Sequence, residues 1–422
     1  MDGVTITLAF LVFAIIMFVW EKIPLSITAM IVAVGLVLTG VITPKEAFAG
    51  FVDSNVLLFM AMFIVGAAFF ETGMAQQVGG LVTKFAKTER LLIVAVMTIT
   101  GVMSGFLSNT GTAAVLIPVA IGLAQKAGFK KAKFLLPLVL ASAMGGNLSL
   151  IGAPGNMIAQ SGLAKINLSF GFFDYALIGL PVLVVGIIYF VLIGYKLLPD
   201  EPTRETEDTY EGTPDYSHVP TWKKWMAAIV LVATIVGMIF EKQLGVKLYV
   251  TAWIGALVLV ATKTISETAA VKSIDMKTIL LFVGSLALAG ALVKTGAGAV
   301  VADTIIGMLG DHPSPFLLMS VIFILSAILT NFMSNTATTA LLVPIGISLA
   351  QQMGADPKAV LMATVIGGSC AYATPIGMPA NTMVYNIAGY TFMDYVKAGA
   401  PLIVVSTIVS LILLPIFFPF YP

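Results

Sequence analysis

The chain has 422 residues, of which 59% are hydrophobic and only 10% carry a charged side chain. A water-soluble domain of ordinary composition carries about 25% charged residues, so this composition excludes that class and indicates a membrane protein that crosses the bilayer several times. The net charge of +1 says nothing about nucleic acid, but the sequence has no basic cluster typical of a nucleic-acid partner. The single cysteine, Cys370, excludes a disulfide within the chain.

Apolar stretches near the length of a bilayer span recur along the chain and predict an all-α polytopic membrane protein made of two repeats. The first repeat covers residues 1–198. Its predicted elements are spanning helices near 4–20, 24–42 and 52–72, an amphipathic arm over 74–90, a hairpin over 91–125, and helices near 134–161 and 174–197. An acidic, proline-rich linker over 199–222 follows and is expected in the cytoplasm.

The second repeat covers residues 223–422 and follows the same order. Its predicted elements are helices near 223–240, 246–264 and 278–294, an arm over 297–313, a hairpin over 315–350, and helices near 358–388 and 396–419. Five full spans in each repeat is an odd number, so the second repeat is expected to be inverted in the membrane relative to the first.

Two short polar motifs recur at matching places in the two repeats. Ser108–Thr110 and Ser334–Thr336 are both Ser-Asn-Thr, 226 positions apart (334 − 108), and similar apolar segments follow them without a gap. A G-x-P-x-N segment also recurs, as Gly152–Asn156 and Gly377–Asn381. Polar residues at bilayer depth are costly, so their repetition indicates a transporter whose site lies where its repeats meet.

Each triplet lies in the middle of a predicted hairpin. Such a segment is too long for one span and too short for two, and its Ser, Asn and Thr favour a turn and a helix N-cap. We therefore expect two re-entrant hairpins. With the N-terminus outside, 16 of the 22 Lys and Arg residues lie in cytoplasmic segments. The positive-inside rule then predicts a multi-pass protein of the cell membrane with both termini extracytoplasmic.

The two hairpin tips would bring helix N-termini face to face, which makes a natural anion site. Side-chain donors are added there by Asn109, Thr110, Asn335 and Thr336. The G-x-P breaks free carbonyl groups, which together with hydroxyl and amide oxygens form cages suited to Na⁺. Ser104 and Thr330 each precede their triplet by four positions and are expected to complete one cage apiece.

No lysine or arginine lies near either triplet in the sequence, so a multivalent anion is expected to face only helix dipoles and amides. Bound cations would supply the missing positive charge, which favours cation coupling. A proton-coupled antiporter is disfavoured because no titratable residue lies near the triplets, and a channel because two occluding hairpins suit alternating access. No HExxH motif and no catalytic pair falls within the spans, which argues against an enzyme.

The paired Ser-Asn-Thr hairpins, each followed by a G-x-P-x-N break, resemble the divalent anion/sodium symporter family over nearly the whole chain. The resemblance implies a homodimeric elevator. In it, the first three helices of each repeat form a scaffold, while the hairpins and the helices after them carry the substrate across the bilayer.

The same resemblance implies site residues and two Na⁺ sites. The first Na⁺ site would use Ser104, Ser108, Asn109 and Gly152. The second would use Thr330, Met333 (through its carbonyl), Asn335 and Gly377. The substrate would contact Asn109, Thr110, Ala153, Asn335, Thr336 and Pro379.

The predicted function is Na⁺-coupled secondary transport of a small divalent anion, with a C4-dicarboxylate as the first candidate. Many family members have Ser or Thr after the break glycine and a second proline before the asparagine. Here those places hold Ala153 and Met378, then Gly155 and Ala380. The lost hydroxyl at Ala153 leaves alternatives open, namely a sodium-independent dicarboxylate exchanger, or a carrier of sulfate, phosphate or citrate.

Overall fold

The computed structural model describes residues 2–20, 22–83, 88–200, 215–310 and 313–421. Regular structure within these ranges is helical, as the sequence predicts, and none of it is strand. Most of the predicted linker lies outside the described residues, because residues 201–214 are not among them. The same is true of residues 84–87 and 311–312, which fall within the two predicted arms.

Eleven α-helices form the first half of the described chain. They are α1 (Gly3–Trp20), α2 (Leu25–Leu38), α3 (Pro44–Phe48), α4 (Ser54–Glu71), α5 (Met74–Thr83), α6 (Glu89–Ser104), α7 (Asn109–Ala127), α8 (Ala132–Gly145), α9 (Pro154–Ala164), α10 (Ala176–Tyr189) and α11 (Tyr195–Leu197). A π-helical turn over Phe190–Gly194 joins α10 to α11, so that the two form one continuous helical rod.

Eleven further α-helices form the second half. They are α12 (Thr221–Ile239), α13 (Glu241–Leu244), α14 (Leu248–Ala261), α15 (Glu267–Ser273), α16 (Met276–Thr295), α17 (Ala297–Leu309), α18 (Pro315–Leu329), α19 (Asn335–Gln352), α20 (Pro357–Gly368), α21 (Pro379–Ala388) and α22 (Phe392–Phe417). The predicted hairpins correspond to the pairs α6–α7 and α18–α19.

Six helical segments of the described chain are long and apolar enough to cross a bilayer. They are Gly3–Trp20, Pro44–Glu71, Ala176–Leu197, Thr221–Ile239, Met276–Thr295 and Phe392–Phe417. The spans predicted over 24–42 and 246–264 are shorter in the structure, since α2 and α14 have 14 residues each. At 1.5 Å per residue each is about 21 Å long, less than the usual hydrocarbon thickness.

Two helices predicted as interrupted spans, near 134–161 and 358–388, are each two separate helices with non-helical chain between them. Pro154 and Pro379 are the first residues of α9 and α21. Proline fits that position because its missing N–H and fixed φ cost nothing in a first turn. The prolines therefore start a second helix and do not kink a continuous one.

Helices of the two halves interlock. The third long helix of each half packs on the second of the other half, α16 on α2 and α4 on α14. Within each half, the first hairpin helix packs on the helix that precedes the break, α6 on α8 and α18 on α20. The second hairpin helix packs across the halves, α19 on α9 and α7 on α21. Both hairpin tips are thus held between segments of both halves.

Close backbone contact at glycine makes some of this packing possible. A Cβ added to Gly399 in α22 would lie 1.9 Å from the Tyr372 carbonyl oxygen. One added to Gly179 in α10 would lie 2.1 Å from the Asn147 carbonyl oxygen. Small residues allow membrane helices to approach other backbone this closely. The last long helix of each half therefore directly contacts the chain segment that joins the two helices of the break in that half.

Replacing Gly399 with alanine tests this contact. We expect Gly399→Ala to lower the stability of the folded protein by about 1–3 kcal/mol, because the backbone around Tyr372 must move to admit the methyl group. Gly122→Ala is the matched control, since no heavy atom lies within 4 Å of the added Cβ. Thermal unfolding in detergent measures both, and equal melting temperatures for the two variants would contradict the prediction.

Candidate functional site

Serine caps both hairpin tips, as the sequence predicts. The Ser108 hydroxyl accepts a hydrogen bond from the Gly111 amide at 3.0 Å, and the Ser334 hydroxyl accepts one from the Ala337 amide at 3.2 Å. Each serine has extended φ and ψ and is followed at once by a long helix. The remaining N-terminal amides of α7 and α19 leave two partly positive helix ends at the tips.

Oxygen atoms converge beside the first tip. The Ser104 hydroxyl lies 2.7 Å from the Ser142 carbonyl oxygen and 2.7 Å from the Asn109 side-chain amide. The same amide atom of Asn109 lies 3.2 Å from the Gly152 carbonyl oxygen and 3.2 Å from that of Ser142. With nitrogen at this position, the two amide protons can be shared among these three neighbouring oxygens. With oxygen there, the Asn109 oxygen faces the three oxygens of Ser104, Ser142 and Gly152, and only the Ser104 hydroxyl supplies a proton to the group.

A second oxygen cluster lies beside the other tip. The Thr330 hydroxyl is 2.6 Å from the Gly368 carbonyl oxygen and 2.8 Å from the Asn335 side-chain oxygen. One hydroxyl proton satisfies only one of these acceptors. Gly377 packs against the same turn, because a Cβ there would lie 2.6 Å from the Thr330 carbonyl oxygen. The structure thus brings together three of the four residues predicted for this site.

Asparagine side chains hold the two breaks open. The Asn156 amide donates to the carbonyl oxygens of Gly146 and Ser149 at 2.9 and 2.7 Å. In the second half, Asn381 donates to those of Ala371 and Thr374 at 2.7 and 3.0 Å. These bonds satisfy carbonyls that a continuous helix would have paired itself.

Tyrosine hydroxyls support both asparagines from behind. The Tyr175 hydroxyl donates to the Asn156 carbonyl oxygen at 2.8 Å, and the Tyr395 hydroxyl donates to that of Asn381 at 2.6 Å. Both tyrosine side chains are fully buried. The amide nitrogen of each G-x-P-x-N asparagine is therefore held in a fixed polar network, while its side-chain oxygen, on Asn156 and on Asn381, is buried without a hydrogen-bond partner.

A cavity of about 360 Å³ lies between the tips and the breaks. Of the predicted site residues, those that line it are Ser108, Asn109, Thr110, Ala153, Asn335, Thr336, Gly377 and Pro379. Ser104, Gly152 and Thr330 are buried behind its wall, within the two oxygen clusters. Met333 is 1% exposed and its side chain packs in an apolar cluster with α1, α2 and α16, so only its backbone is available to a ligand.

Several lining residues were not predicted from the sequence. Thr339 and Ser369 add hydroxyl groups to the wall formed by the second half. Carbonyls of Ser142 and Gly368 join the oxygen clusters through chain folding alone, and no side-chain signal marks them. Thr339 did carry a signal, since the matching position of the first half is Ala113 (113 + 226 = 339) and the halves differ there.

The opposite wall of the cavity comes from α4 and α16 and carries charge. Phe59 and Phe63 of α4 line it, with ring centroids 4.2 Å apart, and so do Asp275 and Lys277 at the start of α16. The expectation that an anion would face no cationic side chain is therefore wrong. Lys277 is 58 positions before Asn335 (335 − 277), and only the packing of α16 beside the tips brings the two into one cavity.

Removing the Thr330 hydroxyl tests the second oxygen cluster. We expect Thr330→Val to lower stability by about 1–3 kcal/mol, because it leaves the Gly368 carbonyl buried without a partner while keeping the side-chain volume. Thr330→Ser keeps the hydroxyl and is expected to melt close to the wild type. Thermal unfolding in detergent measures both variants, and a valine variant as stable as the serine variant would show that the contact is not formed.

Comparisons with known proteins agree with this architecture. A family model described as citrate transporter matches residues 15–367 and 336–421. An uncharacterized transporter of Haemophilus influenzae is 28% identical over 418 residues, covering 95% of this chain and 89% of that protein. The sodium-dependent dicarboxylate transporter SdcS of Staphylococcus saprophyticus is 24% identical, covering 90% of this chain and 79% of that protein.

The fold is shared with a solved transporter structure. The crystal structure of the Alcanivorax borkumensis YdaH transporter matches with a TM-score of 0.65 and 15% identity, covering 97% of each chain. At this identity the match concerns the fold alone. The family match extends over most of the sequence, and the resemblance to divalent anion/sodium symporters seen in the two motifs is confirmed. This chain therefore belongs to the citrate transporter family of membrane transporters.

Proposed function

We propose that this protein is a Na⁺-coupled secondary transporter of a small dicarboxylate, with a C4-dicarboxylate as the first candidate. The observation that carries the proposal is the single cavity of about 360 Å³ lined by both Ser-Asn-Thr triplets and both proline breaks. The volume lies within the range of small-molecule sites. Relatives named sodium-dependent dicarboxylate transporters support the same substrate class.

The two tips can bind the two ends of a dicarboxylate. Each offers helix-terminal amides and the side chains of an Asn and a Thr, all partly exposed to the cavity. Charge-assisted hydrogen bonds from such groups are stronger than neutral ones. The proposed substrate contacts are Asn109, Thr110, Ala153, Asn335, Thr336 and Pro379. Ala153 contributes only surface, so the first half offers the hydroxyl groups of Ser108 and Thr110, and the second half adds those of Thr339 and Ser369 to its own Ser-Asn-Thr triplet.

The oxygen clusters fit two Na⁺ ions, transported with the anion as coupling ions. Carbonyl, hydroxyl and amide oxygens are the ligands that hard cations take. The second cluster holds more oxygens than its hydroxyl proton satisfies, and the first does so when the Asn109 amide turns its oxygen toward it. Ser104, Asn109 and Gly152 supply the first set, and Thr330, Asn335 and Gly377 the second. Ser108 and Met333 are proposed to take part through backbone oxygen. Cation charge beside each tip favours anion binding.

The mechanism we propose is an elevator in a homodimer of inverted repeats. Residues 1–198 and 223–422 form the repeats, joined by the cytoplasmic linker over 199–222, with both termini extracytoplasmic. Matching contacts support the repeat, since Ser104 and Thr330 bond to the tip asparagines alike. The carrier consists of the hairpins over 91–125 and 315–350 with the helices after them. The scaffold consists of the first three spans of each repeat, and the homodimer rests on the family resemblance.

Citrate is the second candidate substrate, because the matching family model is described as a citrate transporter. In addition to the proposed dicarboxylate contacts, the cavity lining includes the positively charged Lys277, which would suit a third carboxylate. A sodium-independent exchanger is the alternative coupling mode. In that case the first oxygen cluster would be satisfied by the nitrogen orientation of the Asn109 amide.

Truncating the tip asparagines is expected to abolish transport. Asn109→Ala and Asn335→Ala each remove a group that faces both an oxygen cluster and the cavity, so we expect uptake to fall at least about 100-fold in each. Asn386→Ala, on α21 and outside the cavity lining, is the control and is expected to transport normally. Uptake is measured at equal amounts of monodisperse protein, and wild-type rates in both tip variants would refute the site.

Substrate and coupling are tested together by uptake into proteoliposomes. Labelled succinate is offered to vesicles that are empty or loaded with unlabelled succinate, with an inward Na⁺ gradient or with choline in its place. We expect accumulation in empty vesicles only with the Na⁺ gradient. Uptake only into loaded vesicles, regardless of Na⁺, would establish exchange. A preference for labelled citrate over succinate under the same gradient would move the substrate to the tricarboxylates.

A further inference from the structure

We propose that Lys277 attracts the anionic substrate to the mouth of the cavity and does so from one face of the membrane only. The inference rests on the proposed function, because it concerns the same cavity and an anionic substrate. It adds a binding residue on the scaffold, which the repeated motifs do not indicate. Its consequence is a substrate affinity that depends on ionic strength on one side of the bilayer.

Lys277 lies on the scaffold wall that faces the two tips. It is the second residue of α16, and Thr278 and Leu281 of the same helix line the same cavity. The side chain of Lys277 is exposed, whereas Ile279, two positions further along α16, is fully buried. The side chain of Lys277 therefore lies at the N-terminal end of α16, where the cavity meets solvent.

The carboxylate of Asp275, which lines the same cavity, forms no ion pair with this amine. Asp275 caps α16, accepting from the backbone amides of Lys277 and Thr278 at 3.1 and 3.4 Å and from the Thr278 hydroxyl at 2.6 Å. No ion pair joins Lys277 to a carboxylate among the described residues. By contrast, Lys294, at the other end of α16, pairs with Glu46 at 2.8 Å. Lys277 thus remains available to an incoming anion.

A positive charge at the mouth of a narrow cavity acts on an approaching anion through its electrostatic field. Low-dielectric walls focus the potential, which raises the local concentration of an anion and its rate of entry. Screening shortens the reach of this field to about 10 Å at 0.1 M salt, so the effect weakens as ionic strength rises. A divalent or trivalent substrate carries two or three charges and responds more strongly than a monovalent ion.

The effect is one-sided because Lys277 belongs to the scaffold. In an elevator the tips move relative to α16, so the amine faces the substrate only when the cavity opens at this end. The positive-inside rule places residue 277 on the cytoplasmic face. Lys277 therefore assists binding from the cytoplasm and has no part in binding from outside.

A lysine that only anchors the helix end at the membrane interface would behave differently. Such a residue would affect expression or maximal rate, and not the affinity for one anion from one side. Lys272, on α15, is exposed and lies near the same membrane face but does not line the cavity, so it is the matched control. Lys277→Arg keeps the charge and tests whether charge alone matters.

Transport kinetics in membrane vesicles of both orientations test the proposal. Inside-out vesicles present the cytoplasmic face to the substrate, and right-side-out vesicles present the other. KM and maximal rate are measured for succinate and in parallel for citrate and sulfate, at ionic strengths of about 20 and 300 mM set with choline chloride. The anion that the wild type carries is used for the comparison, so a wrong substrate class does not affect the test of Lys277.

We expect Lys277→Gln to raise KM about 3- to 10-fold in inside-out vesicles at low ionic strength, with the maximal rate unchanged. At high ionic strength the difference shrinks below about twofold, and in right-side-out vesicles it is absent. Lys277→Arg and Lys272→Gln keep the wild-type KM. A Lys277→Gln variant with wild-type KM on the cytoplasmic face, or with equal increases on both faces, would overturn the proposal. If the wild type showed no Na⁺-driven uptake of any of these anions, the proposed function would be refuted instead.

Discussion

The need to satisfy every backbone polar group inside the bilayer governs this structure. Four helices, α6, α8, α18 and α20, end at the two tips and the two breaks, and each end frees amides and carbonyls that lipid does not satisfy. Ser108 and Ser334 satisfy amides at the tips, while Asn156 and Asn381 satisfy carbonyls at the breaks. The amides and carbonyls left over are the groups that a transported anion and its cations can use. The cost of breaking the helices and the capacity to bind ions therefore have one origin.

The two halves solve this problem alike in outline and differently in detail. In the first half the Ser104 hydroxyl bonds to the Ser142 carbonyl oxygen, and in the second half the Thr330 hydroxyl bonds to the matching carbonyl oxygen of Gly368, in each case 38 positions further along the chain. The breaks also meet directly, because the Ser369 hydroxyl donates to the Asn147 side-chain oxygen at 3.0 Å. The cavity is asymmetric, because more hydroxyl groups line it from the second half than from the first. Such a site suits a substrate with two unlike ends as readily as a symmetric one.

Much of the architecture follows from the sequence, because its signals are local. Hydropathy and the repeated motifs located the helices, and the hairpin tips fall at the predicted serines since capping depends on a few adjacent residues. The tip asparagines and break glycines were found because a polar or helix-breaking residue in an apolar span is conspicuous. The features that could not be predicted from the sequence depend on packing between segments that are far apart in the chain. The interlocking of α2 with α16 was missed for this reason, and so were the carbonyls of Ser142 and Gly368 and the position of Lys277.

The central claim is that both tips hold one anion between them with a cation beside each. Cryo-electron microscopy of the protein in lipid nanodiscs with Na⁺ and succinate tests it most directly, with a choline sample for comparison. The account predicts density for the anion between Asn109 and Asn335, and a density feature within each oxygen cluster that is absent in choline. Anion density elsewhere in the protein, or identical maps at the tips with and without Na⁺ and succinate, would contradict it.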